Sequence, residues 1–482
     1  MGMRSKVRNW RGAVAALVLV GLAWNAPARG DDKLVLNERW VYCPSNLLVD
    51  ANIDKLADIF QRAGKAGYNG VLLSDSKFSR LGQLEPKYFQ NAERVKKLAK
   101  DNGLELIPEV FPTGWGNDIL SVDPNLAEGL PVREALFVVQ NGAARLEADP
   151  PVGLRGGDMS DLKKWDWHDP VVTLEGGAVR MDPTGGNARI SQKVKLHPFR
   201  QYAITVRIKT AGFKGKPEVK VLTKDGHALD YADLGVKATQ DWTVHHVVFN
   251  ALDNEEVNVY FGSWEAKGGT LWWKDAKLEE VGLVNVLRRP GAPLVVKKED
   301  GTVLAEGKDF EKVADPRLGN IPWRGDYEIY HEGPAIKTSL PDGTRLRVSY
   351  YHPMVVYGGS VAISMAEPKT FEIYRDQAQR VHALFGAKGY FMSHDEIRVG
   401  NWDEASAKLH SDAGGVLAAN VRQCTKILKD INPGGRIYVW SDMFDPNHNA
   451  HKDYYLVHGD LAKSCEGLDK DVIVALWYLE KR

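Results

Sequence analysis

The chain has 482 residues, enough for two or three domains, although one α/β barrel alone takes ~250. Lysine plus arginine equals aspartate plus glutamate at 63 each, so no global field favours nucleic acid or an anionic membrane surface, and a neutral partner is expected. The three cysteines, Cys43, Cys424 and Cys465, exclude a disulfide framework and carry no paired CxxC metal signature, leaving room for one bridge at most.

Residues 1–28 have the order of a secretory signal peptide: basic Arg4, Lys6, Arg8 and Arg11, an apolar run over 13–24, then Ala26-Pro27-Ala28. About 12 apolar residues are too few to cross a ~30 Å hydrocarbon core. Cleavage after Ala28 and a secreted or periplasmic protein are expected, with no membrane contact once the signal is removed.

Strand-like runs at 39–43, 70–75 and 104–110 alternate with helical patterns at 54–65 and 88–100, the rhythm of a parallel sheet. From about 152 to 281 helical periodicity disappears, and alternating strands at 202–208, 218–222, 243–249 and 257–261 predict an all-β sandwich. Short strands at 134–139 and 294–298, the latter before the turn Asp300-Gly301, read as a small β subdomain split by that insert. The alternation resumes with strands at 345–352, 389–396, 436–442 and 471–478 around helices at 371–385 and 414–430. The predicted fold class is therefore α/β, a (β/α)8-type barrel interrupted by the sandwich; seven strands are counted, so either the barrel is incomplete at its C-terminal end or the count is wrong by one. The expected divisions after the signal are 34–133 for the first barrel part, 134–154 and 284–343 for the split β subdomain, 155–283 for the sandwich and 344–482 for the second barrel part.

Within the sandwich, ARISQKVKLHPFRQYAITVRIKT (188–210), DWTVHHVVFNA (241–251) and NVYFGSWEAKGGTLWWKDAKLEEVG (258–282) resemble the jelly-roll carbohydrate-binding modules of the family 4/9 group. The resemblance implies a glycan ligand on an aromatic platform, with Trp165, Trp167, Trp264, Trp272 and Trp273 as candidates, and permits a structural calcium. No other cofactor is expected, and the sequence does not fix an oligomeric state.

Chemistry is expected where barrel strands end. The run Gly389-Tyr390-Phe391-Met392-Ser393-His394-Asp395-Glu396-Ile397-Arg398 stops at two adjacent carboxylates flanked by His and Arg, and a neighbouring like charge raises the pKa of one member of such a pair. Here the chain resembles the family 20 glycoside hydrolases, the β-hexosaminidases, whose strand ends in an Asp-Glu pair. By that resemblance Glu396 is the general acid/base and Asp395 the orienting carboxylate, although the two glycines of the family motif are absent and the strand counts as fifth rather than fourth. His394, Arg398, Tyr351, His352, Trp440, Asp442, Trp477, Tyr478 and Glu109 are the expected substrate-binding residues, with Asp442, Glu109 and Glu480 as candidate second carboxylates.

The reading is a secreted glycoside hydrolase acting on an oligosaccharide or polysaccharide. Two alternatives stand beside it: a non-catalytic glycan-binding protein, and a metal-dependent barrel hydrolase using His352, His394, His448, His451, Asp442 and Asp445.

Overall fold

The computed structural model describes residues 36–410 and 412–477; the signal segment, Tyr478 and Glu480 lie outside them. Six strands form a parallel sheet in sequential order: Trp40–Pro44, Gly70–Ser74, Glu105–Val110, Gly389–Met392, Arg436–Trp440 and Ile473–Ala475. The segments Gly70–Ser74 and Gly389–Met392 are almost wholly buried, as expected of parallel strands covered on both faces. Helices cover one face. Asp50–Lys65 turns Ile53, Leu56, Phe60 and Ala63 inward at helical spacing, and Pro86–Asp101, Pro368–Phe385 and Ala413–Ile431 bury equivalent stripes. The other face curls on itself around Leu72, Ile107, Phe391 and Tyr438. The curl brings Trp40 on the first strand within 4.6 Å of Tyr438 on the fifth, ring centroid to ring centroid.

The expected (β/α)8-type barrel is not what the chain builds. Among the described residues the parallel sheet has six strands, and most strand residues lie in antiparallel sheets. The fourth strand of the expected count, Arg345–His352, pairs antiparallel with Leu130–Gln140 and with Val295–Lys298 in a five-stranded sheet that also takes Ala143–Leu146 and Ile336–Lys337. Its residues alternate between half-buried and buried, the pattern of a one-sided antiparallel strand.

The largest β unit is the sandwich. One sheet orders Gln240–Asn250, Gln201–Ala211, Thr270–Glu280, Ala178–Met181 and Val172–Glu175; the other orders Pro217–Leu222, Glu256–Ala266, Gly186–Lys195 and Trp167–His168. Trp165 and Trp273 are buried between them, each edge-on to Phe261 at 5.6 Å, so these two of the five tryptophans are core. Trp167 is 43% exposed, and Trp264 and Trp272 are half-buried on outer faces.

A buried ion network fastens the units. Arg289 pairs with Glu367 at 2.9 Å and with Asp403 at 2.6 Å, and donates to the carbonyls of Asn125 and Ala127. It thereby ties the chain before Leu130 to the starts of two helices. Among the described residues no helix is long and apolar enough to cross a membrane.

Candidate functional site

In a parallel sheet ligands collect at the carboxyl ends of the strands. Here those ends gather Tyr42, Glu109, Ser393, Asp395, Glu396, Trp440, Asp442 and Trp477 into one cluster. Glu109, on the third strand, accepts from the Tyr42 hydroxyl at 3.2 Å and from the Trp440 indole at 3.4 Å. Burial pushes the Glu109 carboxyl above its ordinary range.

Asp395 and Glu396 follow the fourth parallel strand, and their environments differ. The Asp395 Oδ1 accepts from the Ser393 hydroxyl at 2.9 Å. Burial, then the charges of Glu109 and Asp442, push the Asp395 carboxyl up to about 8. Glu396 turns the other way. Its Oε2 pairs with Arg398 Nη2 at 2.6 Å and accepts from the Trp115 indole at 3.1 Å. Arg398 is buried, lies 5.4 Å from both the Trp115 and Tyr455 ring centroids, and is held there by cation–π contacts.

Glu396 has a φ of 48°, a left-handed backbone that is costly for a non-glycine residue and persists only where its surroundings enforce it. Two neighbours enforce it. The Glu396 amide donates to Asp442 Oδ2 at 2.8 Å, and the same oxygen accepts from Asn449 Nδ2 at 2.9 Å. The loop after the third strand also runs so close that a Cβ on Gly114 would lie 2.1 Å from the Asp395 carbonyl oxygen and 2.7 Å from that of Glu396. Only glycine fits there.

Asp442 is fully buried, and its Oδ1 accepts from Trp477 Nε1 at 3.4 Å. Burial raises its carboxyl to about 6. It acts on Glu396 through the backbone, as a positioning residue.

Of the residues expected at the site, the structure brings together Glu109, Asp395, Glu396, Arg398, Trp440, Asp442 and Trp477. It takes three others elsewhere. His394 is fully buried, points at Asn420 with Nε2 to Oδ1 at 3.0 Å, and has its pKa lowered by burial to about 4. His352 bonds to Asn250 at 3.1 Å where the small sheet meets the sandwich. Tyr351, beside it on Arg345–His352, packs over Gly129.

Trp115, Ser393, Tyr455 and Asn449 were not among the expected site residues. The signal for Trp115 was its place between Gly114 and Gly116, in the loop directly after the third strand. For Asn449 it was the PNHNAH stretch, whose Asn449 amide bonds to Asp442 and whose His448 ring lies edge-on to Trp477 at 4.7 Å. Among the described residues no group of three or more His, Cys, Asp or Glu is placed to hold a metal ion.

No protein-family model matches the chain, and no curated protein does. Solved structures similar to it include a CBM4 structure at 19% identity, covering 23% of this chain and 74% of that one with a TM-score of 0.20. A mutant of a carbohydrate binding module of family 29 matches at 17% identity over 24% of this chain and 80% of that one, with a TM-score of 0.19. The CBM22-1 xylan-binding domain from Paenibacillus barcinonensis Xyn10C matches at 14% identity, with 24% of this chain and 80% of that chain covered and a TM-score of 0.19. A likeness of that size decides nothing about the ligand of this chain; its own side chains must.

Proposed function

We propose that the chain binds a glycan at this aromatic-walled rim and hydrolyses a glycosidic bond there. Asp395 donates its proton to the leaving oxygen as the C–O bond breaks, and Glu396 takes a proton from the water that adds to the anomeric carbon. The observation that supports this most is the split within the pair: a carboxyl kept protonated near neutral pH stands next to one held in an ion pair. A proton donor beside an ion-paired acceptor is the division of labour that general acid and general base require. The roles are thus divided in the reverse of the family 20 resemblance. Exposed aromatic rings at Tyr42, Trp115 and Trp477 supply flat surfaces for sugar rings.

A panel of aryl glycosides and glycan hexasaccharides tests this reading. Hydrolysis by the wild type that is lost in both Asp395→Asn and Glu396→Gln supports it; turnover unchanged in both variants refutes it.

One observation favours a second reading, glycan binding without turnover. Glu396 is already engaged by Arg398, Trp115 and, through its amide, Asp442, so it can accept from sugar hydroxyls as a fixed acceptor. Binding of a hexasaccharide with no hydrolysis across the panel would establish that reading.

A further inference from the structure

The sandwich does not stand apart from the carboxylate cluster. Its loop 223–239, between Pro217–Leu222 and Gln240–Asn250, carries Tyr231, whose ring lies 4.6 Å from that of Tyr455 and 5.7 Å from that of Tyr357. Tyr455 is the ring against which Arg398 rests, and Arg398 holds Glu396. Lys216, at the start of the same sandwich edge, places its ammonium 5.1 Å from the Tyr357 centroid. Arg398 also lies 5.4 Å from the Trp115 ring centroid, and Trp115 touches both Glu396 and the neighbourhood of Gly358. All three tyrosines are half-buried, so each leaves ring surface outside the packing.

We infer that the sandwich supplies part of the wall of the glycan site, through Tyr231 and Lys216, and that the ligand is an oligosaccharide long enough to reach from Glu396 past Tyr455 onto that wall. A single sugar over Glu396 and Trp115 leaves Tyr231 untouched; further sugars of the same chain meet Tyr455, then Tyr231 and Tyr357. The inference rests on the glycan reading above and adds chain length to it.

The test compares p-nitrophenyl monoglycosides with hexasaccharides of glucose, xylose and N-acetylglucosamine, using wild type, Tyr231→Ala, Tyr231→Phe and Lys216→Ala. Losing one aromatic contact should lower kcat/KM for a cleaved hexasaccharide about two- to tenfold in Tyr231→Ala. The monoglycoside should be unaffected, and Tyr231→Phe, which keeps the ring, should resemble the wild type. A loss that falls equally on both substrates, or on neither, overturns the inference.

Titration calorimetry with the same hexasaccharides separates it from the hydrolysis reading. If the wild type cleaves nothing but binds a hexasaccharide, and Tyr231→Ala and Lys216→Ala weaken that binding, hydrolysis fails while the shared wall stands. Absence of hexasaccharide binding by the wild type overturns both.

Discussion

The sandwich and the curled parallel sheet use the same kinds of residue for opposite purposes. In the sandwich, large aromatics such as Trp165, Trp273 and Phe261 fill a dry core. At the rim of the parallel sheet, Tyr42, Trp115, Trp440 and Trp477 surround carboxylates and spend their polar edges on them. A tryptophan count therefore says little about a sugar site. The core and rim rings differ in their indole N–H: Trp273 Nε1 is buried without a partner, whereas Trp115, Trp440 and Trp477 donate to carboxylates, as does Trp272 on the outer sandwich face to Glu175 at 2.7 Å.

The contrast is sharpest under substitution. Asp395→Asn should lower kcat by ~10² to 10⁴ while moving the melting temperature little at mildly acid pH, because it removes the proton donor and keeps the shape of a neutral side chain; steady-state kinetics and calorimetry read the two effects. Trp273→Ala should do the reverse, destabilising the sandwich by about 3–5 kcal/mol through the cavity it opens, as read by denaturant unfolding. Gly114→Ala joins the two kinds of loss. Its Cβ has no room beside the Asp395 and Glu396 carbonyls, so a cost of about 1–3 kcal/mol for overpacking should come with displaced carboxylates and lower kcat.

The pH dependence of stability gives a finer test. The Asp395 carboxyl is raised from 3.8 to about 8 by burial and by Glu109 and Asp442. Across that window the folded protein keeps a proton that the unfolded chain has released, so stability falls as pH rises and levels off above about 8. Asp442, raised from 3.8 to about 6, adds to the fall in the lower part of the window. Asp395→Asn should flatten the fall, seen as a smaller drop in melting temperature between acid and neutral pH. A drop as large as that of the wild type would remove Asp395 from its cause. The smallest effect belongs to Trp167→Ala on the outer sandwich face, where an exposed ring resting near Arg189 at 5.1 Å should contribute under about 1 kcal/mol to stability.

The sandwich strands were legible because half-buried antiparallel strands print their two faces on the sequence as alternation. The parallel strands were legible for the opposite reason, as unbroken apolar runs such as Gly389-Tyr390-Phe391-Met392. The eight-fold barrel was misread at Arg345–His352, where alternating polar and apolar residues already carried the antiparallel signature. Removing that strand from the parallel count makes the strand before Asp395 the fourth. At the site, Asp395, Glu396 and Asp442 were visible as carboxylates closing apolar runs. The burial of His394 against Asn420 was not, because its partner lies on a helix 26 residues away. Nor was Trp115, which reaches Glu396 across 281 residues of chain.

The pairing of Glu105–Val110 with Gly389–Met392 also sets an order in time. The first three parallel strands leave the ribosome long before their fourth neighbour exists, since the small sheet and the whole sandwich are encoded between them. At about 5–20 residues per second, that interval is on the order of half a minute. Throughout it the edge of Glu105–Val110 stands open to wrong partners. The carboxylate pair, carried on the late strand, is completed only after the domain that helps to wall it has been made.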